Sequence, residues 1–299
     1  MRTLYVSDLD GTLLRGDQKT SEFTNQVINR LVKEGMLFSY ATARSYSTAH
    51  KVTEGMTAAF PVIVYNGAFI KDHATGDLLL KNFFDKKEAV KLVQDLLDHG
   101  ISPLVYAFIE GEEKFSYLQG CINDMTQDFL QSRKEDLRNR PVEGIQALLE
   151  GEIFYITCID EREKLAPLHE AYRDRYHLVY QSDIYSGDWW LEFMPKEVSK
   201  ANAVRQLAGL LDCDRVIAFG DGLNDIELFE SADEAYAVEN AVPELKKLAT
   251  AVIGSNEEDS VAKWLVEAVG GYKRKNVELS DGIGQELKKQ RKELEYING

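Results

Sequence analysis

Cysteine and histidine are scarce in this chain of 299 residues, which contains three cysteines and five histidines. Cys121, Cys158 and Cys213 are widely spaced and odd in number, so the sequence predicts reduced thiols rather than a disulfide framework. Neither residue type shows the close spacing that is typical of zinc ligands. These absences indicate a reducing compartment, and we expect a cytoplasmic protein.

Long apolar runs are also missing from the sequence. No uninterrupted apolar segment approaches the roughly 20 residues that a transmembrane helix needs. The first strand-like run begins at Leu4, which leaves no room for a signal peptide before it. The sequence therefore predicts a soluble protein that has no membrane partner.

Positive charge is in short supply, because 35 lysines and arginines face 50 aspartates and glutamates and the formal net charge is −15. This excess of negative charge argues against nucleic acid or an anionic membrane surface as a partner. An anionic substrate would have to be captured by local positive charge.

The chain length and its 44% of hydrophobic residues allow one large domain or two ordinary ones.

Two acidic clusters each follow a short apolar run. The first run, at residues 4–7, leads into Asp8 and Asp10, and the second, at 216–219, leads into Asp221 and Asp225. Such runs are typical of buried strands, and open α/β sheets bind their ligands at the carboxyl ends of strands. Close carboxylates repel each other, so a fold keeps them together with a cation, a shared proton or full solvation.

The composition of the clusters favours a hard cation held by oxygen ligands. Magnesium fits better than zinc, because neither cluster contains histidine or cysteine. The alternative for each cluster is a solvated Asp-Gly turn at the end of a strand. A single cluster would not decide between these interpretations, whereas two clusters at strand ends favour the cation site.

Strands and helices alternate at both ends of the chain. Strand-like runs at 4–8, 37–42 and 62–65 are separated by helical segments, and the alternation resumes at residue 200. This pattern predicts an α/β fold with a doubly wound, Rossmann-like parallel sheet as its core. The intervening residues follow a different pattern, and we expect them to form an inserted α+β cap domain.

We therefore assign residues 1–84 and 187–273 to the core and residues 85–186 to the cap. Within the cap, the stretch from about 127 to 140 is polar and charged. We expect Trp189 and Trp190 to pack where the chain returns from the cap to the core. Residues 274–299, rich in lysine and glutamate, are assigned to a charged C-terminal tail.

Four segments resemble the motifs of the haloacid dehalogenase-like phosphohydrolases, in the order typical of that family. The motifs are, in order, residues 8–12, Thr42, Lys200 and residues 220–225. Residues 66–68 and 239–241 are similar to segments of the Cof-type branch, and the insertion resembles the large, C2-type cap. The resemblance covers almost the whole chain apart from the tail.

The resemblance implies a magnesium-dependent phosphatase that forms an aspartyl-phosphate. Asp8 would be the nucleophile, and Asp10 would protonate the departing alkoxide and then accept the proton of the attacking water. Magnesium would be bound by the carboxylates of Asp8 and Asp221 and by the backbone carbonyl of Asp10. Asp225 would orient this shell or bind the metal through water. Small phosphorylated metabolites, such as sugar phosphates or phosphorylated cofactors, would be the substrates.

Phosphate binding would fall to a separate set of groups, which are the Thr42 hydroxyl, the backbone N–H groups of Ala43 and Leu9, the Lys200 ammonium and the Asn224 amide. Alone, Thr42 would be an ordinary helix cap and Lys200 a solvated lysine. Ala43 stands where Cof-type sequences usually carry glycine, so its methyl group could narrow the pocket. We also name Tyr185, near the edge of the cap, as a candidate for substrate recognition.

Two alternatives remain open at the level of function. A phosphotransferase or phosphomutase on the same core would need an acceptor hydroxyl to reach the aspartyl-phosphate before water does. A non-catalytic phospholigand-binding module would not need a nucleophile, so the intact Asp8 and Asp10 disfavour it. Oligomeric state and the identity of the substrate do not follow from the sequence.

Overall fold

The computed structural model describes residues 1–182 and 187–272. They form two units, of which one comprises Met1–Lys81 together with the described residues from Lys200 onward, and the other comprises Asn82–Ser199. The tail assigned to residues 274–299 and the candidate Tyr185 lie outside the described residues. None of the helices within the described ranges is both long and apolar enough to span a bilayer.

Strands and helices follow one another along the chain in three stretches. Residues 1–81 contain β1 (Thr3–Ser7), α1 (Glu22–Lys33), β2 (Leu37–Tyr40), α2 (Tyr46–Val52), β3 (Pro61–Val64), β4 (Phe69–Asp72) and β5 (Leu78–Lys81). Residues 82–199 contain α3 (Lys86–Asp98), β6 (Leu104–Ile109), β7 (Glu112–Leu118), α4 (Asp124–Ser132), β8 (Asn139–Val142), α5 (Ile145–Leu148), β9 (Glu152–Asp160), α6 (Arg162–Tyr172), β10 (His177–Ser182) and β11 (Trp189–Met194). The return to the first unit contains α7 (Lys200–Leu210), β12 (Arg215–Gly220), α8 (Ile226–Ser231), β13 (Glu234–Ala237), α9 (Pro243–Leu248), β14 (Ala251–Val252) and α10 (Ser260–Tyr272).

Five parallel strands form the central sheet of the first unit in the order β14-β13-β12-β1-β2. Beyond β2 a parallel bridge joins Ala41 to Ile63 of β3, and β4 and β5 then continue as an antiparallel sheet. The chain moves outward in one direction from β1 to β2 and in the other from β12 to β13. Because crossovers between parallel strands are right-handed as a rule, these opposite directions imply helices on both faces of the sheet. The parallel sheet with a reversal of strand order confirms the predicted doubly wound α/β core.

A six-stranded sheet in the order β10-β11-β9-β6-β7-β8 organises the second unit. Its pairs are antiparallel apart from β7 and β8. Leu92 of α3 and Leu165 of α6 belong to the same buried cluster as Ile156 and Phe193, so these helices cover one face of the sheet. On the other face, the Phe129 ring of α4 lies edge-on to Trp190, with 5.2 Å between ring centroids.

The second unit extends further along the chain than the sequence analysis assigned, because it ends at Ser199 rather than at residue 186. Trp189 and Trp190 do not mark a return to the core. They open β11, which pairs with both β9 and β10. Leu191 and Phe193 of β11 are buried in the cluster beneath the helices, so the strand completes the sheet instead of linking the units.

The polar stretch from 127 to 140 also contains regular structure that its composition conceals. It contains the C-terminal part of α4, a helix whose N-terminus is capped by the Asn123 side chain. It also contains the start of β8. Only Leu130 of α4 and Val142 of β8 are buried among the apolar residues of these two elements. Because so few positions of these elements are buried, the sequence shows only a weak periodic pattern of apolar residues there.

His73, in the turn after β4, is completely buried against Phe60, with 4.6 Å between stacked rings. Its Nε2 lies 3.1 Å from the Thr53 hydroxyl, which donates its own proton to the carbonyl of Ala49 at 2.9 Å. We assign the ring proton to Nε2, which then donates to the Thr53 hydroxyl. Burial, reinforced by the neighbouring His50, lowers the pKa of His73 to about 4.

The first prediction concerns the pH dependence of stability. Between pH 7 and 4.5 the unfolded chain binds a proton at His73 that the folded chain does not, so this group alone destabilises the fold by about 2.5 kcal/mol. His73→Phe keeps the stacking on Phe60 and removes the titration. We expect the loss of unfolding free energy over this pH range, measured by urea titration, to shrink by about that amount in the variant. Equal pH dependence in both proteins would contradict a neutral, buried imidazole.

Candidate active site

The predicted site residues meet at one edge of the core sheet. β1 and β12 are parallel neighbours with Ser7 opposite Phe219, so the chain leaves both strands side by side. The Asp8 N–H donates to the carbonyl of Phe219 at 2.9 Å and extends this pairing by one residue. Thr42 follows β2 on the other side of β1. The strand order reverses between β1 and β12, which is where open α/β sheets bind ligands.

Lys200 places a buried ammonium between two carboxylates. It is the first residue of α7, and its Nζ lies 2.9 Å from Asp8 Oδ1 and 2.7 Å from Asp225 Oδ1. The Lys200 side chain is 2% exposed and that of Asp225 is 0% exposed. Burial acts to lower the pKa of Lys200, but the charges of Asp225 and Asp8 raise it above its ordinary value. The lysine therefore stays protonated.

Asp225 shapes the turn that follows β12. Its Oδ2 accepts the backbone N–H groups of Asp221 and Gly222, both at 3.1 Å. The Asp221 carboxylate in turn accepts the Thr12 hydroxyl at 2.7 Å, which ties the turn after β12 to the loop after β1. The second acidic cluster is thus a hydrogen-bonded turn built around a buried carboxylate, not a solvated Asp-Gly turn.

The Asp221 carboxylate lies so close to the backbone of residue 11 that this position requires glycine. Gly11 has φ +74°, and a Cβ atom there would lie 2.3 Å from Asp221 Oδ2. The Gly11 carbonyl accepts the side-chain amide of Asn240 at 2.7 Å. Asn240 also accepts the backbone N–H of Asn256 at 3.1 Å. Two asparagines from the far end of the chain therefore help to fix the loop after β1.

The donor set fits a hard cation. Carboxylate oxygens of Asp8, Asp221 and Asp225 lie within 4.8 Å of one another. Burial, with the charges of Asp225 and Asp221, raises the pKa of Asp8 well above its ordinary range, although Lys200 opposes this shift. Burial and the charge of Asp225 also raise the pKa of Asp221 to about 7. Positive charge is therefore deficient in the cluster, and a divalent cation with oxygen ligands would supply it.

The Asp10 side chain lies in a different environment from that of Asp8. Arg44 donates from Nε to Asp10 Oδ2 at 2.7 Å and from Nη2 to Asp10 Oδ1 at 2.6 Å. Arg44 is not among the residues predicted from the sequence. The sequence feature that could have indicated Arg44 is its position two residues after Thr42, in a chain with fewer basic than acidic residues.

The predicted phosphate-binding residues lie in the turns beside these carboxylates. Thr42 is buried, and its hydroxyl accepts the Arg44 N–H at 3.1 Å. It is not the cap of α2, because Ser45 has that role. Leu9 is buried after β1, whereas Ala43 and Asn224 are partly exposed. The structure thus brings the four charged groups of Asp8, Lys200, Asp221 and Asp225 together, and places the phosphate-binding candidates in the adjoining turns.

Comparison with known proteins decides the family. The family described as haloacid dehalogenase-like hydrolase matches residues 5–265 of the chain. This protein belongs to the haloacid dehalogenase-like hydrolases. The predicted family is therefore confirmed.

Individual relatives of this haloacid dehalogenase-like hydrolase agree with that assignment. The 5-amino-6-(5-phospho-D-ribitylamino)uracil phosphatase YwtE of Bacillus subtilis (strain 168) is 28% identical over 289 residues, which cover 88% of this chain and 97% of that protein. TM0651 of Thermotoga maritima matches in structure with a TM-score of 0.72 at 23% identity, over 94% of this chain and 100% of its own. The sugar phosphatase BT4131, of haloacid dehalogenase subclass IIB, has a TM-score of 0.70 at 17% identity and covers 90% of this chain and 99% of its own. The relatives support the predicted enzyme class, a phosphatase, and the structures support the fold.

A second prediction separates backbone strain from damage to the carboxylate cluster. Gly11→Ala and Gly100→Ala both force alanine into a positive φ, +74° and +75°, but a Cβ at Gly100 meets nothing within 4 Å. Each should lower the unfolding free energy by about 1–2 kcal/mol through strain. We expect only Gly11→Ala to displace Asp221 and to weaken Mg²⁺ binding by at least about 10-fold. Mg²⁺ titration by calorimetry measures this, and wild-type affinity in Gly11→Ala would show that the carboxylates do not form the cation site.

Proposed function

We propose that this enzyme is a magnesium-dependent phosphatase that hydrolyses small phosphorylated metabolites through an aspartyl-phosphate on Asp8. The observation that carries the proposal is the contact of 2.9 Å between Asp8 Oδ1 and the buried Lys200 ammonium. A buried carboxylate beside a fixed positive charge is suited to attack an anionic phosphoryl group, because the charge offsets the repulsion between nucleophile and substrate. A site that only bound phosphate would gain nothing from a carboxylate at this position.

In the first step an Asp8 oxygen forms a bond to phosphorus while the bond from phosphorus to the leaving oxygen breaks. The electron pair of the broken bond passes to the leaving oxygen, and Asp10 supplies the proton that this oxygen requires. In the second step water attacks the aspartyl-phosphate and gives its proton to Asp10. The Asp8 carboxylate leaves, and inorganic phosphate is released.

Lys200 and the turns after β1 and β2 would hold the phosphoryl group. Lys200 already contacts Asp8, so its charge lies next to the reacting oxygen. We assign the remaining phosphoryl contacts to the Thr42 hydroxyl, the N–H groups of Ala43 and Leu9, and the Asn224 amide. Helix and turn N–H groups at such strand ends are common anion ligands.

We assign the Mg²⁺ site to the carboxylates of Asp8 and Asp221 with the backbone carbonyl of Asp10. When bound, the ion neutralises phosphoryl oxygens and helps to keep Asp8 ionised. Asp225 uses one oxygen for Lys200 and the other for two backbone N–H groups. We therefore assign Asp225 the role of orienting the ligands rather than that of a direct ligand.

The printed names of two similar proteins and the chemistry of the step support a proposal for the substrate class. YwtE is named as a phosphatase of a phosphorylated ribityl pyrimidine, and BT4131 is named as a sugar phosphatase. Both names describe a phosphate monoester on a polyhydroxylated carbon chain. We propose the same class for this enzyme, with a phosphorylated sugar or sugar alcohol as the leaving group.

A third prediction tests the function. Phosphate release from a panel of sugar phosphates, ribityl phosphates and p-nitrophenyl phosphate should require Mg²⁺ and stop with a chelator. Asp8→Asn preserves the shape of the side chain but not the nucleophile, and we expect kcat to fall by at least about 10³-fold. Asp98→Asn, at the exposed end of α3, is the control and should behave as wild type.

Two results would contradict the proposal. Activity that survives in Asp8→Asn would exclude Asp8 as the nucleophile, and release unaffected by the chelator would exclude a required metal. The transferase alternative is tested in the same assay by adding glycerol as an acceptor. Hydrolysis predicts one inorganic phosphate for each alcohol released, whereas transfer would release alcohol in excess of phosphate.

A further inference from the structure

Arg44 and Asp10 form a bidentate ion pair at this edge of the sheet. The guanidinium donates from two different nitrogens to the two oxygens of one carboxylate, at 2.7 Å and 2.6 Å. Such a bidentate contact fixes the plane of the carboxylate as well as its position, which a lysine in the same place would not do. The side chains of Arg44 and Asp10 are 19% and 25% exposed, so the pair lies at the surface of the cluster rather than beneath it.

Arg44 is itself held in place by the backbone around it. Its N–H donates to the Thr42 hydroxyl at 3.1 Å, and its carbonyl accepts the Tyr65 N–H at 3.0 Å. Nη2 also lies 3.3 Å from the side-chain oxygen of Gln18. The guanidinium therefore projects from a fixed segment between β2 and α2. Asp10 lies in the loop after β1, whose backbone is held by Asn240 at Gly11, and the Arg44 contact adds a restraint on the Asp10 side chain itself.

We propose that Arg44 is a positioning residue that holds the Asp10 carboxylate in the orientation needed for proton transfer to the leaving oxygen. This inference rests on the proposed phosphatase function. A carboxylate offers about four lone-pair positions, and the bidentate contact occupies one on each oxygen. The contact fixes the plane in which a proton on either oxygen would lie. A displacement of about 1 Å from such geometry can reduce a rate about 10²-fold.

A purely structural role predicts a different result. The pair is partly exposed and lies at the edge of the cluster, so a purely structural role predicts a change in melting temperature and no dependence of activity on the leaving group. A substrate-binding role predicts a higher KM for every phosphate ester, whatever its leaving group. A positioning role predicts a loss that grows with the basicity of the leaving oxygen, because weakly basic aryl oxides depart without a proton and alkoxides do not.

The test compares kcat/KM for p-nitrophenyl phosphate, phenyl phosphate and glycerol 2-phosphate in wild type, Arg44→Ala and Arg44→Lys. This ratio reports the steps up to formation of the aspartyl-phosphate, which is where the leaving group needs its proton. We expect Arg44→Ala to lose less than about 5-fold on the nitrophenyl ester and at least about 10²-fold on the glycerol ester. Arg44→Lys should show the same trend, and methylguanidinium should restore part of the loss in Arg44→Ala.

Arg215→Ala supplies a matched control. Arg215 pairs with Glu234 in the same unit, with side chains 20% and 31% exposed, and it begins β12 at the end of the strand remote from Asp221. Its loss should leave kcat/KM unchanged for all three esters. Circular dichroism and the melting temperature show that each variant is folded.

The outcomes separate the inference from the function on which it rests. If wild type is active and Asp8→Asn is not, an equal loss on all three esters, a change confined to KM, or no loss would overturn the role of Arg44 alone. If folded wild type with Mg²⁺ releases no phosphate from any ester, the proposed function fails and the positioning role fails with it.

Discussion

The buried ammonium of Lys200 is the constraint on which the rest of the site depends. It joins the first residue of α7 to the carboxylates that follow β1 and β12, so three separate segments must converge on one point. A buried charge that loses a partner typically costs 3–5 kcal/mol, which makes the convergence obligatory for the fold. The three neighbouring carboxylates nevertheless exceed the single lysine in charge, and burial together with this excess raises the pKa values of Asp8 and Asp221.

The close approach of these carboxylates restricts the residue types and the conformation of the loops after β1 and β12. Asp221 can lie beside the loop after β1 only because residue 11 has no side chain. Its orientation is fixed by the Thr12 hydroxyl, and the Gly11 carbonyl is held by Asn240. A phosphoryl group could not enter such a cluster against the net charge of −15 carried by the chain without local cations. In the proposed function, the divalent cation assigned to these carboxylates would offset that repulsion.

The sequence predicted those features that depend on local pattern. Buried parallel strands give continuous apolar runs, and the acids that end them are visible as Asp8 and Asp221 without knowledge of the fold. The contact between Arg44 and Asp10 spans 34 residues and depends on how β1 and β2 pair, so no local pattern reveals it. The assignment of β11 failed for the same reason, since only its pairing with β9 and β10 shows to which unit Trp189 belongs.

Two cation–carboxylate pairs at one sheet edge differ mainly in exposure, and the difference matches the roles proposed for them. The Lys200 and Asp8 side chains are 2% and 7% exposed, whereas those of Arg44 and Asp10 are 19% and 25% exposed. A nucleophile benefits from exclusion of water, because its charge is then held by fixed partners and is not solvated. A group that delivers a proton to the leaving oxygen and later receives one from water must remain accessible to both. The pair meets that requirement, because Arg44 fixes the plane of the Asp10 carboxylate while 25% of the Asp10 side chain stays exposed.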